Sequence, residues 1–426
     1  MNAAQQRSHC QQLHPLLRGL WVRAVFLFLN FLLIITALYH LKPASRSLYI
    51  EFLGADRLPY VWIGTALLMA VTIGAYHRLV ERVRRVTLVL GSCLLFALAF
   101  IGFWFWLRQP GPAAAFCLYV LVDVFSVVLV EQFWSLTNSI YSTREGKSWY
   151  GFIAIGGLLG GILGGTLSSG LVTWGGLGTA DLLLVAAAIL GLVLLINLAM
   201  NRAGLYCEVE GQGKETLYRG GWQAIRRNRY LLMIAVILLL AQVVDPLVEF
   251  QFSKSVEAAF PLLDQRTVYL GWFFSLLGWV SILVNLLLTP LIHRLLGVTA
   301  GLLVQPLMLL CCSGGFLLRP TLLLGAATKI ADRGLSYSIN RASRELLYIP
   351  IDTVLIYRAK AWIDMFGYRL FKIGGSLLIL GLTPWISLSQ LSWVVLALCL
   401  VWIATVLRIG RAYGSMSGPP STQDRV

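Results

Sequence analysis

The stretch LLLVAAAILGLVLLINLAM, residues 182–200, decides the fold class, because it contains no charged side chain. A run of about 20 apolar residues is what an α-helix needs to cross roughly 30 Å of hydrocarbon. The whole chain is 58% hydrophobic and only 12% charged, whereas about a quarter of the residues of a soluble domain are charged. Too few charges remain to cover a surface facing water, so the sequence predicts an integral membrane protein.

Working outward from this run, the chain shows twelve apolar segments. The predicted spans are residues 21–41, 59–76, 86–107, 113–136, 149–172, 180–200, 230–252, 268–290, 298–318, 321–339, 361–382 and 391–406. The longest polar stretch between them divides the spans into two sets of six. This pattern favours an all-α polytopic membrane protein with 12 transmembrane helices in a major-facilitator-like 6+6 pseudo-symmetric bundle. We expect two six-helix halves, at residues 1–200 and 230–412. A cytoplasmic linker at residues 201–229 joins them, and a cytoplasmic tail follows at residues 413–426.

Lys and Arg residues are distributed unequally between the predicted loops. About 23 of the 34 lie on the side of the N-terminus, which predicts that both termini are cytoplasmic. We expect the bilayer to be a bacterial inner membrane. The same bias accounts for the net charge of +15, so we expect lipid and not nucleic acid as the surrounding partner.

The sequence shows no pattern typical of an enzyme or of a metal site. The seven cysteines form no CxxC pair and the five histidines are scattered, so we predict no disulfide, metal or cofactor. The glycines of residues 151–165 crowd one helix without the Gly-Lys-Ser/Thr end of a phosphate-binding loop. Small residues at such spacings let helix backbones approach closely, so we interpret them as packing residues.

Ionisable side chains inside apolar spans are costly, and they tend to face a partner or a wet cavity. This chain has many, of both signs. Our candidates for substrate binding are Lys42, Arg46, Asp123, Glu131, Glu249 and Lys372. A second set comprises Asp245, Lys329, Arg333, Asp364 and Arg369. The alternative is structural, since these charges also pair between helices or extend to the interface; Asp332 and Arg333, for example, would neutralise each other.

Several stretches resemble the ATP/ADP translocase family of bacterial parasites and plastids, the nucleotide transporters of the major facilitator superfamily. The longest match is RELLYIPID at residues 344–352, followed by KAWID at 360–364 and KIGGS at 372–376. Shorter ones are LVE at 247–249 and FW at 133–134. The resemblance implies nucleotide exchange through charged residues of the first, fourth, seventh and eleventh spans.

Carried over by position, Glu249 and Lys372 match the functional Glu and Lys of the family. Asp123 matches a functional Glu once one residue is gapped. In the first span the functional Lys of the family falls on Ser45, and Arg46 lies one residue away. Our leading hypothesis is a monomeric membrane transporter that carries nucleotides or related anionic, phosphorylated solutes by alternating access.

Two alternatives stay open at this point. One is a major facilitator transporter of a non-nucleotide solute, and the other is a non-transporting membrane protein built on a transporter fold. An enzyme is not expected, because no nucleophile–base pair is recognisable near an interface.

Overall fold

The computed structural model describes residues 20–141, 143–206, 223, 225–226, 228–349, 351, 355, 359–360, 362–363 and 367–417. Nearly all of these residues are helical, and they include no β-strand. The first six long helices are α1 (Leu20–Leu53), α2 (Leu58–Arg82), α3 (Arg85–Trp106), α4 (Pro112–Ile140), α5 (Thr143–Thr173) and α6 (Leu182–Arg202). The next six are α7 (Arg229–Ala259), α8 (Leu263–Leu283), α9 (Thr289–Leu318), α10 (Leu322–Leu335), α11 (Tyr368–Leu382) and α12 (Ser392–Ser417).

Short irregular elements connect some of these helices. Five-residue π-helical turns follow α8 and α10, at Val284–Leu288 and Ser336–Asn340. A seven-residue helix, Arg341–Leu347, continues the path of α10 beyond its π turn. Single 3-10 turns precede α2 and α6, at Ala55–Arg57 and Thr179–Asp181.

Nine helices in the described ranges are long and apolar enough to cross a membrane. One of them, Leu263–Leu318, covers two predicted spans, and Gly297 interrupts it with a φ of 80° and a ψ of 179°. Glycine tolerates this left-handed φ because it has no Cβ. The predicted spans at residues 321–339 and 361–382 fall on α10 and α11, which have only 14 and 15 residues. The prediction of an all-α polytopic membrane protein is confirmed.

The chain divides into two compact units. Unit 1 is drawn from Met1–Gly54, Leu68–Gly213 and Phe260–Gly278. Unit 2 is drawn from Ala55–Leu67, Lys214–Ala259 and Trp279–Val426.

Unit 1 owes its tightest helix packing to glycine. A Cβ on Gly164 of α5 would lie 2.7 Å from the carbonyl oxygen of Thr36 in α1, and a Cβ on Gly160 would collide with the carbonyl oxygen of Leu32. The two glycines are four residues apart, so they lie on one face of α5. The two backbones therefore touch, and the predicted packing role of these glycines is confirmed.

Unit 2 is organised around α7, most of whose residues are buried. Gly375 of α11 lies against Val243 and Pro246 of α7, where a Cβ would come within 2.7 Å of the Val243 carbonyl oxygen. On another side, α7 packs against α10. This contact brings the charged residues of α7 and α10 together.

Candidate functional site

Five charged side chains of α7 and α10 form the unit 2 cluster, which we define as Asp245, Glu249, Lys329, Asp332 and Arg333. The Lys329 ammonium lies 3.0 Å from Asp245 Oδ1 and 2.5 Å from Glu249 Oε2. Arg333 forms an ion pair with Asp245 through Nη2. The Asp332 carboxylate lies 3.6 Å from Lys329 Nζ and 3.8 Å from Arg333 Nε.

Helical spacing explains why these five residues meet. Asp245 and Glu249 are four residues apart on α7, while Lys329, Asp332 and Arg333 are three and four residues apart on α10. Residues at such spacings share one face of a helix. Two complementary charged faces therefore meet where α7 packs on α10.

The cluster lies deep within unit 2. Lys329 and Asp332 are each 3% exposed and Asp245 is 4% exposed. Charges removed from water to this extent are stable only when they are paired and hydrogen-bonded. Each buried charge of the cluster depends on its neighbours, and a change in any one pair alters the electrostatic balance of the rest.

Lys372 lies on α11, near enough for its charge to act on Asp245. Its half-buried ammonium makes no ion pair with any residue that the structure describes. Glu249, one of the first candidates from the sequence, forms an ion pair with Lys329, a residue of the second set. Of the second set, Arg369 is half-buried on α11, and Asp364 lies outside the described residues.

Unit 1 carries a smaller arrangement, the Arg46–Asp123 pair. Arg46 Nη2 of α1 lies 2.7 Å from Asp123 Oδ1 of α4, and the two side chains are 14% and 15% exposed. The guanidinium lies over the ring of Tyr119 at 4.4 Å from its centroid and donates to Ser45 Oγ at 3.1 Å. A planar cation is thus held between a carboxylate, an aromatic face and a hydroxyl.

The other two candidates of unit 1 lie on the same two helices, α1 and α4. The Lys42 ammonium lies over the ring of Tyr39, 4.9 Å from its centroid. Glu131 is exposed on α4, about two helical turns from Asp123.

Tyr119 was missed by the sequence analysis, which took its substrate-binding candidates only from Asp, Glu, Lys and Arg. It lies four residues before Asp123, so the two share a face of α4. An aromatic residue at that spacing from a carboxylate inside an apolar span is a signal that would have found it.

The comparisons with known proteins bear on what these charges do. The sequence profile described as TLC ATP/ADP transporter matches residues 111–320 and 316–413, which is more than half of the chain. The chain belongs to the TLC ATP/ADP transporter family. The resemblance seen in the segments RELLYIPID, KAWID and KIGGS is thereby confirmed, and the chain is an integral membrane transporter.

Curated relatives of this TLC family member are similar over most of its length. The "ADP,ATP carrier protein 1" of Chlamydia muridarum is 25% identical over 368 residues, covering 74% of this chain and 67% of the relative. The protein of the same name from Chlamydia pneumoniae is 22% identical, covering 70% of this chain and 67% of the relative. That of Rickettsia conorii is 23% identical, covering 65% and 62%.

Solved structures show the fold of this family member. The nucleoside transporter NupG superposes with a TM-score of 0.61 and 12% identity, covering 92% of this chain and 98% of that one. A bacterial homologue of the iron transporter ferroportin, solved in an inward-facing state, gives a TM-score of 0.62 and 15% identity, covering 92% and 99%. The fold is therefore of the major facilitator type.

Proposed function

We propose that this protein exchanges nucleotides, ATP and ADP, across a membrane by alternating access. The observation that carries the proposal is the pairing of opposite charges within apolar helices of both units, in a member of the TLC ATP/ADP transporter family. Relatives that share about two thirds of their length with this chain are named ADP,ATP carrier proteins.

The chemistry of the charged residues suits a polyphosphate substrate. Lys and Arg bind phosphate through charge-assisted hydrogen bonds, and in an apolar span they need a carboxylate partner when no substrate is bound. We assign the first phosphate contact to Lys372, whose ammonium makes no ion pair with the described residues. In unit 2 the carboxylates of Asp245 and Glu249 hold Lys329 between turnovers.

In unit 1 we assign the functional cation to Arg46 and its acidic partner to Asp123. Ser45 stands where the functional Lys of the family falls, and it is fully buried. The ion pair of Arg46 with Asp123 supports the transfer of that role by one position. Lys42 and Glu131 complete the proposed set of substrate-responsive charges in this unit.

The setting of the transporter is also part of the proposal. We place it in a bacterial inner membrane as a monomer with both termini in the cytoplasm. The six-helix halves are residues 1–200 and 230–412, joined by the linker 201–229 and followed by the tail 413–426. The distribution of Lys and Arg supports this orientation, and we assign the chain transport without catalysis.

Replacement of Lys372 tests the proposal. In proteoliposomes loaded with ADP, we expect Lys372→Gln to raise the KM for labelled ATP about tenfold, since a charged hydrogen bond contributes about 1.5–3 kcal/mol. Its unfolding midpoint should stay near that of the unchanged protein, because no described ion pair is lost. Lys254→Gln is the matched control: Lys254 pairs with Asp56 and Glu257, away from the cluster, and its loss should leave KM unchanged.

A wild-type protein that exchanges no adenine nucleotide in either direction would refute the proposal. One observation favours a second candidate, another phosphorylated solute: Ser45 replaces a cation that the resemblance implies is functional. Competition of ATP uptake by sugar phosphates and dicarboxylates separates the two. Inhibition by ADP alone supports nucleotide exchange, and transport of a sugar phosphate in the absence of ATP transport supports the alternative.

A further inference from the structure

A cavity of about 380 Å³ lies in unit 2, beside the π turn that follows α10. Its walls include Arg333, Tyr337, Arg341, Arg344, Tyr348 and Lys360. The volume is within the range of small-molecule sites, about 300–1,000 Å³. Two of these residues, Arg344 and Tyr348, belong to the segment RELLYIPID that resembles the family. The proposed transport site includes no residue of that segment.

The cavity has an excess of positive charge. Four of its lining residues are Lys or Arg and one, Glu345, is acidic. Glu345 is already bound by Lys360, whose ammonium lies 2.6 Å from its Oε2. Arg341 and Arg344 make no ion pair with the residues that the structure describes. Two guanidinium groups thus border a cavity in which the one acidic residue of the described lining, Glu345, is already paired with Lys360, and this favours an anionic ligand.

Aromatic rings accompany these cations. The Lys360 ammonium lies 4.4 Å from the centroid of the Tyr348 ring, and the Arg333 guanidinium lies 5.9 Å from that of Tyr337. Tyr337 is half exposed, at 51%. Guanidinium groups bind phosphate with two parallel hydrogen bonds, and exposed aromatic faces stack on planar bases. A ligand that carries both phosphates and a planar ring matches both parts of the wall.

We propose that this cavity binds the polyphosphate chain of a nucleotide, through Arg341 and Arg344, with Tyr337 against the base. The identity of the ligand rests on the function proposed above, but the site is separate from Lys372. Arg333 connects the two regions, since it lines the cavity and pairs with Asp245. A phosphate that attracts Arg333 weakens this pair and so makes the unit 2 cluster responsive to the bound nucleotide.

Calorimetric titration of the detergent-solubilised, delipidated full-length protein tests the site. In a Lys372→Gln background, which removes the proposed transport contact, we expect pyrophosphate and ADP to bind still. Adding Arg341→Gln and Arg344→Gln should weaken both ligands at least tenfold, from the loss of two charged contacts. Arg294→Gln, an exposed arginine outside the cavity, is the charge-matched control and should leave both affinities unchanged.

A second variant separates the base from the phosphates. Tyr337→Leu should weaken ADP several-fold and leave pyrophosphate unchanged. It removes an exposed ring, and thermal unfolding shows whether it folds as the parent protein does. Equal pyrophosphate affinity with and without Arg341 and Arg344 would overturn the proposal.

Anionic lipid headgroups offer the same phosphate chemistry, so the titration is repeated in nanodiscs with and without phosphatidylglycerol. Competition by that lipid, combined with no binding of ADP in its absence, would assign the cavity to lipid and overturn the nucleotide assignment. The outcome is independent of the transport assay. Wild-type exchange with no loss of binding in the arginine variants refutes the cavity alone, whereas binding without exchange refutes the proposed function alone.

Discussion

Unit 1 and unit 2 hold their helices together by different means. In unit 1, α5 meets α1 backbone to backbone through glycines. The described ion pairs between its long helices are Arg46–Asp123, with side chains 14% and 15% exposed, and Arg266–Glu51, with side chains 4% and 37% exposed. In unit 2, α7 meets α10 through five charged side chains, three of which are at most 4% exposed. Ion pairs between helices therefore occur in both units, but among the described residues only in unit 2 do five charged side chains form one cluster.

The burial of an ion pair determines both how much it stabilises the fold and how easily it can open. A buried charge that loses its partner destabilises the fold strongly, whereas a partly exposed pair can open at small cost. The unit 2 cluster should therefore contribute strongly to the fold, because Asp245 and Glu249 share the buried cation Lys329. The Arg46–Asp123 pair can exchange partners more freely, so its contribution to the fold should be smaller.

Replacement of Lys329 is expected to cause the largest loss in the free energy of unfolding. Replacing it by Met leaves Asp245 and Glu249 without their shared cation, and removing one partner of a buried pair costs about 3–5 kcal/mol. We expect a loss of this size in the free energy of unfolding, measured by denaturant titration in detergent. Lys254→Met is the control: its side chain is 27% exposed, and an exposed pair contributes at most about 1 kcal/mol.

A companion variant sharpens this prediction. Adding Glu249→Gln to Lys329→Met removes one of the two carboxylates that lost this cation, so part of the lost stability should return. If Lys329→Met is as stable as Lys254→Met, the cluster is wet or protonated, and unit 2 does not differ from unit 1 in the way described here.

An intermediate effect is expected at the glycine contact of unit 1. Gly160→Ala places a methyl group against the carbonyl oxygen of Leu32, and overpacking of this kind costs about 1–3 kcal/mol. Gly151→Ala on the same helix meets nothing within 4 Å and should be neutral, or stabilising by up to about 1 kcal/mol from helix propensity. The two midpoints of thermal unfolding should therefore move apart; equal midpoints would mean that α5 is not held by close backbone contact.

Much of the fold is predictable from local sequence. The apolar run at residues 182–200 is sufficient to predict a membrane helix, and it falls on α6. The twelve predicted spans compare with nine helices in the described ranges that are long and apolar enough to cross a membrane. The irregular parts were not predictable in this way. The π turns at Val284–Leu288 and Ser336–Asn340 have no local signature, and the interruption at Gly297 depends on a backbone angle that a glycine permits without requiring.

The candidate site was predictable only in part, and for a physical reason. The spacing of Asp245 and Glu249 is enough to place them on one face of a helix, because residues four apart are neighbours on a helix surface. Which cation faces them depends on which helix packs on α7, and this is a tertiary property. For the same reason the sequence analysis placed Lys372 among the first candidates and Lys329 only in the second set, although Lys329 is the cation that pairs with both acids.

Replacement of the Arg46–Asp123 pair is expected to have the smallest effect on the free energy of unfolding. A double-mutant cycle with Arg46→Gln and Asp123→Asn should give a coupling energy of about 1 kcal/mol in unfolding free energy, since water still reaches both side chains. The same variants should nevertheless impair ATP uptake, because the guanidinium over Tyr119 is the proposed cation of this unit. A coupling near the cost expected for Lys329→Met would show that the pair is fully desolvated. The contrast between the units would then lie in the number of charges and not in their burial, and Arg46 would be unable to leave Asp123 for a substrate phosphate without destabilising unit 1.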